Sequence, residues 1–107
     1  MTVHSNLGSG FLESVYSEAL ELEFNKQCIP YTKEKKLSIL YDDKVLKKYF
    51  KADYTCYDSI IVELKAAKTL TDVDVRQAIN YLKATKYKLA IIANFGTSSF
   101  TYKRILH

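Results

Sequence analysis

Apolar residues recur at helical spacing in two stretches of this chain and at strand spacing, or in short unbroken runs, in five others. The first helical stretch runs from Phe11 to about Lys26. Leu12, Val15, Ala19 and Leu22 form its apolar stripe, and Tyr16, Leu20 and Phe24 widen it. Glu18, Glu21 and Glu23 fall on the solvated side. Glu13 lies in line with Tyr16 and Leu20, so it is the one helix carboxylate placed to point inward. The helix dipole alone also favours a glutamate in a first turn. Ser9 is positioned to cap this helix. Gly8 and Gly10 break it from a last helical turn at Val3 to Leu7, and Pro30 stops its continuation.

From Tyr31 to Tyr41 apolar and charged residues alternate imperfectly, as in a strand with one exposed face. Asp42-Asp43-Lys44 reads as a turn and Val45 to Tyr54 as the return strand. After a turn at Thr55 to Ser59, the run Ser59 to Lys65 contains Ile60-Ile61-Val62, β-branched and apolar as in a buried strand. Thr71 opens a second helix, capped by its hydroxyl and by Asp74, which reaches about Thr85. Val75, Ile79 and Leu82 make its core stripe, and Gln77 and Tyr81, four apart, share a face beside it. Tyr87 to Phe95 is a second buried strand, Gly96 to Ser99 a turn, and Phe100 to Leu106 a final strand. A helix between Lys65 and Tyr87 implies a crossover joining two parallel strands. The expected order is α-β-β-β-α-β-β, an α/β domain with a central mixed β-sheet flanked by helices.

A length of 107 residues fits a single domain, 1–107, with one modest core. No run approaches the ~18–20 apolar residues that span a membrane. The N-terminus has no basic region followed by an apolar one, so it is not a secretory signal. Cys28 and Cys56 lack the paired spacing of a metal site and read as two free buried thiols of a cytoplasmic protein. The net charge is +4 and unevenly spread. Residues 1–25 hold four glutamates and no Lys or Arg, whereas residues 26–51 hold eight lysines. Lys83, Lys86, Lys88, Lys103 and Arg104 form a further basic stretch. Basic clusters interleaved with tyrosines suit a polyanion such as nucleic acid. Solvated lysines on exposed strand faces would look the same.

The candidate chemistry lies between Lys51 and Lys65. Glu63 and Lys65 share one face of their strand and Leu64 takes the other. A hairpin centred near Asp58 puts Asp53 opposite Glu63. Two carboxylates directly opposite repel each other, and a divalent cation between them removes that repulsion. Lys65 beside them can hold a water or a phosphate oxygen. That is the outline of a metal-dependent phosphodiesterase centre. The same residues also fit an exposed hairpin with ordinary surface charges.

Four separated pieces then match one family. Gly10-Phe11-Leu12-Glu13-Ser14-Val15-Tyr16 fits GxxExxY, Asp53 with Glu63-Leu64-Lys65 fits D…ExK, and Gln77-Ala78-Ile79-Asn80-Tyr81 fits QxxxY. Asn80 to Thr85 and Asn94-Phe95-Gly96 match the rest. The chain resembles a GxxExxY protein of the PD-(D/E)XK nuclease superfamily, in its RecB-like branch. Ser9 and Ala52 stand where prolines are usual, and Lys51 where Arg is frequent. The N-terminal helix looks truncated.

The resemblance implies a restriction-endonuclease-like core and a metal-dependent nuclease acting on DNA by in-line attack of a metal-bound water. It gives Glu13, Asp53, Glu63 and the Leu64 carbonyl to Mg²⁺ or Mn²⁺. It gives Lys65 to the water and the phosphate, and Gln77 to positioning, with Tyr81 packed beside it. Lys35, Lys36, Lys47, Lys48 and Lys51, with Tyr81, are the candidate nucleic-acid contacts. His4 and His107 are read as peripheral. The alternative is a non-catalytic nucleic-acid-binding or assembly module that keeps the fold, although Asp53, Glu63 and Lys65 are all retained. A homodimer or protein partner would supply further surface, and nothing in the sequence separates DNA from RNA.

Overall fold

The computed structural model describes residues 2–98 and 100–107. Its elements in chain order are α1 (Thr2–Leu7), α2 (Glu13–Lys26), β1 (Tyr31–Tyr41), β2 (Lys44–Cys56), β3 (Ile60–Lys65), α3 (Asp72–Ala84), β4 (Leu89–Asn94) and β5 (Thr101–Leu106). The five strands form one sheet in sequence order. Every neighbouring pair is antiparallel except β3 and β4, which run parallel and need α3 as their crossover. The expected mixed sheet and crossover helix are both present. Ser99, the last residue of the turn expected before β5, lies outside the described residues.

Each face of the sheet has its own core. Val3 of α1 and Tyr16 and Leu20 of α2 pack on Tyr54, Cys56, Val62, Leu64, Ala93 and Phe95. On the other face, Ala78 and Leu82 of α3 pack on Leu37, Ala52, Ile61, Ala90, Ile92 and Ile105. Along β3 the faces alternate simply, so Glu63 and Lys65 lie with Ile61 on the α3 side.

β2 breaks that rule. Ala52 belongs to the α3 core and Tyr54 to the α2 core, although residues two apart in a regular strand share a face. The switch falls at Asp53. Across from it in β1, pairing passes from Lys33↔Tyr54 to Lys35↔Ala52, and the skipped Glu34 has φ of 53°. Lys33 accordingly reaches Glu21 of α2 at 3.5 Å, while Lys35 is tied to Asp58 and Tyr87 on the opposite side. A glutamate in the left-handed region costs about 1–2 kcal/mol, so the bend is held by the two cores it serves. Past the bend, β1 and β2 outrun β3 as a two-stranded arm. Residues 41–49 of the arm are all exposed. Its two-residue turn, Asp42-Asp43, has both φ angles positive (51° and 61°), as a tight hairpin requires.

Several expectations need correction. α2 starts at Glu13 rather than Phe11, and its N-cap is Leu12, without a side-chain bond; Ser9 does not cap it. Gly8 (φ 72°) and Gly10 (φ 103°) turn the chain, and the Tyr16 hydroxyl secures that turn. It donates to the Gly8 carbonyl at 2.6 Å and accepts from the Phe11 amide at 3.2 Å. The buried face of α2 is Tyr16 and Leu20, whereas Leu12 is 75% and Leu22 67% exposed. Stacking of Tyr16 on Phe95, centroids 4.7 Å apart, fixes that rotation. Glu21 is half-buried and accepts from Tyr31 at 3.0 Å, so it is not on the solvated side. Cys28 is exposed, and of the two thiols Cys56 alone is buried. His4 is buried rather than peripheral and lies 2.8 Å from the Thr97 carbonyl through Nε2. α3 matches its expectation, with the full Thr71–Asp74 capping box, but Val75 and Ile79 are only partly buried and Ala78 takes the inner position.

Asn94 ties the ends of the parallel strands together. Its Oδ1 accepts from the amides of Ala67 (3.1 Å) and Gly96 (3.0 Å), and its Nδ2 donates to the Ala67 carbonyl (2.9 Å). A Cβ at Gly96 would collide with the backbone of Ala66 and Ala67. Gly96→Ala is therefore expected to lower the free energy of urea unfolding by about 2–4 kcal/mol. An unchanged unfolding curve would show that this junction yields freely.

Candidate active site

The site begins where two strands part. β2 and β3 pair from Cys56↔Ile60 to Tyr54↔Val62. At the next step the Leu64 amide donates to Asp53 Oδ2 at 2.8 Å, so a side chain stands in for a backbone carbonyl. The same register places Glu63 beside Asp53, as the hairpin reading expected. Glu63 Oε1 is buried and makes no hydrogen bond. Burial pushes the Glu63 carboxyl up to about 9, helped by the hydrogen bond and the charge of Asp53 and opposed weakly by the Asp53 backbone and Lys65. Glu63 thus favours its protonated form at neutral pH.

Two concavities meet at this pair. On one side Glu63 and Lys65 line a cleft of about 160 Å³ with Asp74, Gln77, Tyr81 and Phe50. Lys65 Nζ rests 3.9 Å from Asp74 Oδ1. Asp74 Oδ2 meanwhile accepts from the amide (3.0 Å) and hydroxyl (3.2 Å) of Thr71, and the Thr71 amide holds the carboxyl below its usual range. Gln77 Nε2 donates to the Tyr81 hydroxyl at 2.7 Å, so its amide braces Tyr81. The Tyr81 ring stacks on Phe50 with centroids 3.4 Å apart. On the other side Glu13, Ser14, Ser17, Asp53 and Leu64 line a cavity of about 190 Å³. Glu13 sits at its rim and is exposed, which corrects the inward placement expected for it. The helix starts two residues later than expected, and Glu13, its first residue, lies at the mouth of the cavity instead of on the packed face.

A carboxylate oxygen left without a partner beside a second carboxylate is a donor set that suits a hard divalent cation. Among the described residues, however, no three His, Cys, Asp or Glu side chains come together as a metal cluster. Asp53, Glu63 and Leu64 are brought together, Lys65 and Gln77 flank them, and Glu13 faces Asp53 across open space.

The basic candidates separate into two groups. Lys47, Lys48 and Lys51 are exposed on β2, and Lys51 pairs across the arm with Lys36. Lys36 Nζ lies 4.5 Å above the Tyr49 ring. Lys35 is engaged by Asp58 and Tyr87, away from the cleft.

The signature of the PD-(D/E)XK nuclease superfamily matches residues 1–105. The chain belongs to this superfamily. Its sheet and flanking helices form a restriction-endonuclease-like core. The crystal structure of SSO0001 superposes with a TM-score of 0.66 over 88% of this chain and 49% of that one, at 18% identity. That likeness is one of fold, and the chain spans about half the length of that structure. No curated protein matches it in sequence.

Two residues of this PD-(D/E)XK domain matter more to the site than the sequence reading allowed. Asp74 reads from its spacing only as a cap, yet it lies nine residues after Lys65, in the first turn of the helix that follows β3, close enough in sequence to suggest the pair. Phe50 gave no signal, because its place under Tyr81 depends on the bend at Asp53.

The Glu63 shift has a consequence for stability. Its carboxyl titrates near its ordinary 4.5 when unfolded and near about 9 when folded. The folded state therefore binds the extra proton in between, and stability present below the lower value is lost as pH rises to the upper one. Each pH unit costs at most about 1.4 kcal/mol. In EDTA, the melting temperature should fall from about pH 5 to about pH 9, and Glu63→Gln should flatten that slope. Parallel slopes in both proteins would remove Glu63 as the cause.

Proposed function

We propose that this domain is a divalent-cation-dependent nuclease that hydrolyses phosphodiester bonds in DNA. The observation that carries this reading is the buried, unpartnered oxygen of Glu63 beside Asp53. Asp53, Glu63 and the Leu64 carbonyl would hold Mg²⁺ or Mn²⁺, with Glu13 completing the set from the cavity rim. When bound, the cation would lower the pKa of an attacking water and offset the charge that develops on the phosphate. Glu63 must give up its proton to serve as a ligand, and Asp53, already held by the Leu64 amide, fixes the direction of approach. Lys65 leaves Asp74 for a phosphate oxygen and stabilises its charge. Gln77 and Tyr81 shape the wall of the cleft, with the Tyr81 ring face already occupied by Phe50.

The GxxExxY, D…ExK and QxxxY motifs support a place among the GxxExxY proteins of the RecB-like branch. In this domain the tyrosine of the first motif secures the loop that delivers Glu13. Lys36, Lys47, Lys48 and Lys51 would contact phosphates along the arm, while Lys35 is committed to Asp58. A second reading is a non-catalytic nucleic-acid-binding or assembly module. The observation that favours it is the exposed Glu13, which leaves the carboxylates short of a three-residue cluster.

Asp53→Ala and Lys65→Ala should each slow Mg²⁺-dependent cleavage of labelled DNA at least about 100-fold while the circular dichroism spectrum is kept. Cleavage at the parent rate by either folded variant would sink the assignment. Near pH 7, Mg²⁺ binding should release about one proton, measured by calorimetry in buffers of different ionisation heat. Loss of that release in Glu63→Gln identifies its source. Replacing Lys47 and Lys48 together by Gln should flatten the salt dependence of duplex binding by about 1.8 in log–log slope. An unchanged slope would take the arm out of the contact surface.

A further inference from the structure

A larger concavity, of about 690 Å³, lies at the opposite end of α3 from the Asp53–Glu63 pair. The cleft takes Asp74 and Gln77 from the first half of α3, whereas this concavity begins at Thr85, just past its end. The helix between them spans about 20 Å, and the Phe50–Tyr81 stack and the Leu37, Ala78 and Leu82 core fill the space beneath it.

Lys35, Lys36, Lys86 and Lys88 line the concavity with a single acid, Asp58. That acid is spent internally. Lys35 holds its carboxyl below the usual range, and the Tyr87 hydroxyl donates to it at 2.9 Å. The side chains of Lys86 and Lys88 have no hydrogen-bond or ion-pair partner among the described residues, so their charge is available. Between the lysines the lining is mostly apolar, from Leu37, Leu40 and Tyr87, with the hydroxyls of Ser38, Ser59 and Thr85 among them. Tyr87 is anchored through its hydroxyl, and its ring has no aromatic partner among the described residues.

We propose that this concavity is a second nucleic-acid site, outside the cleft, that takes single-stranded polynucleotide. Lysines at a rim neutralise phosphates, and an apolar floor with a fixed aromatic ring receives an unstacked base. A duplex presents the phosphates but hides its base faces, so it meets only half of this surface. The source of the strand rests on the nuclease reading; the binding itself does not.

The test is fluorescence anisotropy of the full chain with a labelled thymidine oligonucleotide of about 16 nucleotides, in EDTA. Replacing Lys86 and Lys88 together by Gln should weaken binding about tenfold and reduce the salt slope by about 1.4. Ser38→Trp, which fills the concavity and keeps every charge, should weaken it as well. Replacing Lys26 and Lys103 by Gln makes the same charge change elsewhere and should leave affinity within about twofold. Equal loss in that control would mean diffuse attraction and overturn the proposal, as would full affinity in the first two variants. Displacement by an unlabelled duplex as readily as by unlabelled single strand would overturn it too. Lysine-dependent binding without Mg²⁺-dependent cleavage would sink the nuclease reading and leave this site standing. Cleavage with lysine-independent binding would do the reverse.

Discussion

The amide of Leu64 bonds to a carboxylate where a sheet would ordinarily offer it a carbonyl. The rest of the molecule is arranged around that exchange. Because Asp53 satisfies the amide, β2 can leave β3 without stranding a buried donor. Because β2 leaves, Ala52 and Tyr54 can enter different cores, and the arm can swing under α3. Because the strands part on the α3 side, Glu63 and Lys65 line a cleft instead of facing a neighbouring strand. Fold and site share one hydrogen bond.

The same arrangement stores unfavourable energy in two places. Glu34 sits in a backbone region that an L-residue avoids, and Glu63 is buried against a like charge, where it must stay protonated. Neither helps the chain to fold. A local cost that persists at one spot, with two packed cores holding it in place, is common where a surface has work to do. Both costs fall on the β1–β2–β3 junction that holds the D…ExK residues Asp53, Glu63 and Lys65.

Much of this was legible in the chain. The strict cap chemistry at Thr71 and Asp74 marked α3, and the alternation from Tyr31 marked β1 to the residue. Hairpin symmetry about Asp58 was enough to put Asp53 opposite Glu63. What failed did so for physical reasons. Apolar residues are spread round α2 among its glutamates and serines, so spacing could not choose between the Leu12–Leu22 stripe and the Tyr16–Leu20 face; the Phe95 ring made the choice. Ser9 looked like a cap, but the Tyr16 hydroxyl, eight residues from Gly8 in sequence, does the work of securing the turn. The bend at Glu34 left no trace, since glutamate carries no signal for a positive φ.

Asp74 divides its two oxygens between unlike tasks. One closes the first turn of α3 through Thr71, and the other is the resting partner of Lys65. Under the proposed nuclease reading, a phosphate would draw the lysine away without loosening the helix, because the Asp74 oxygen beside Lys65 is not the one that holds the turn. The group that closes the first turn of α3 and the group that neighbours Lys65 are thus two oxygens of one carboxylate, and either contact can be broken without the other.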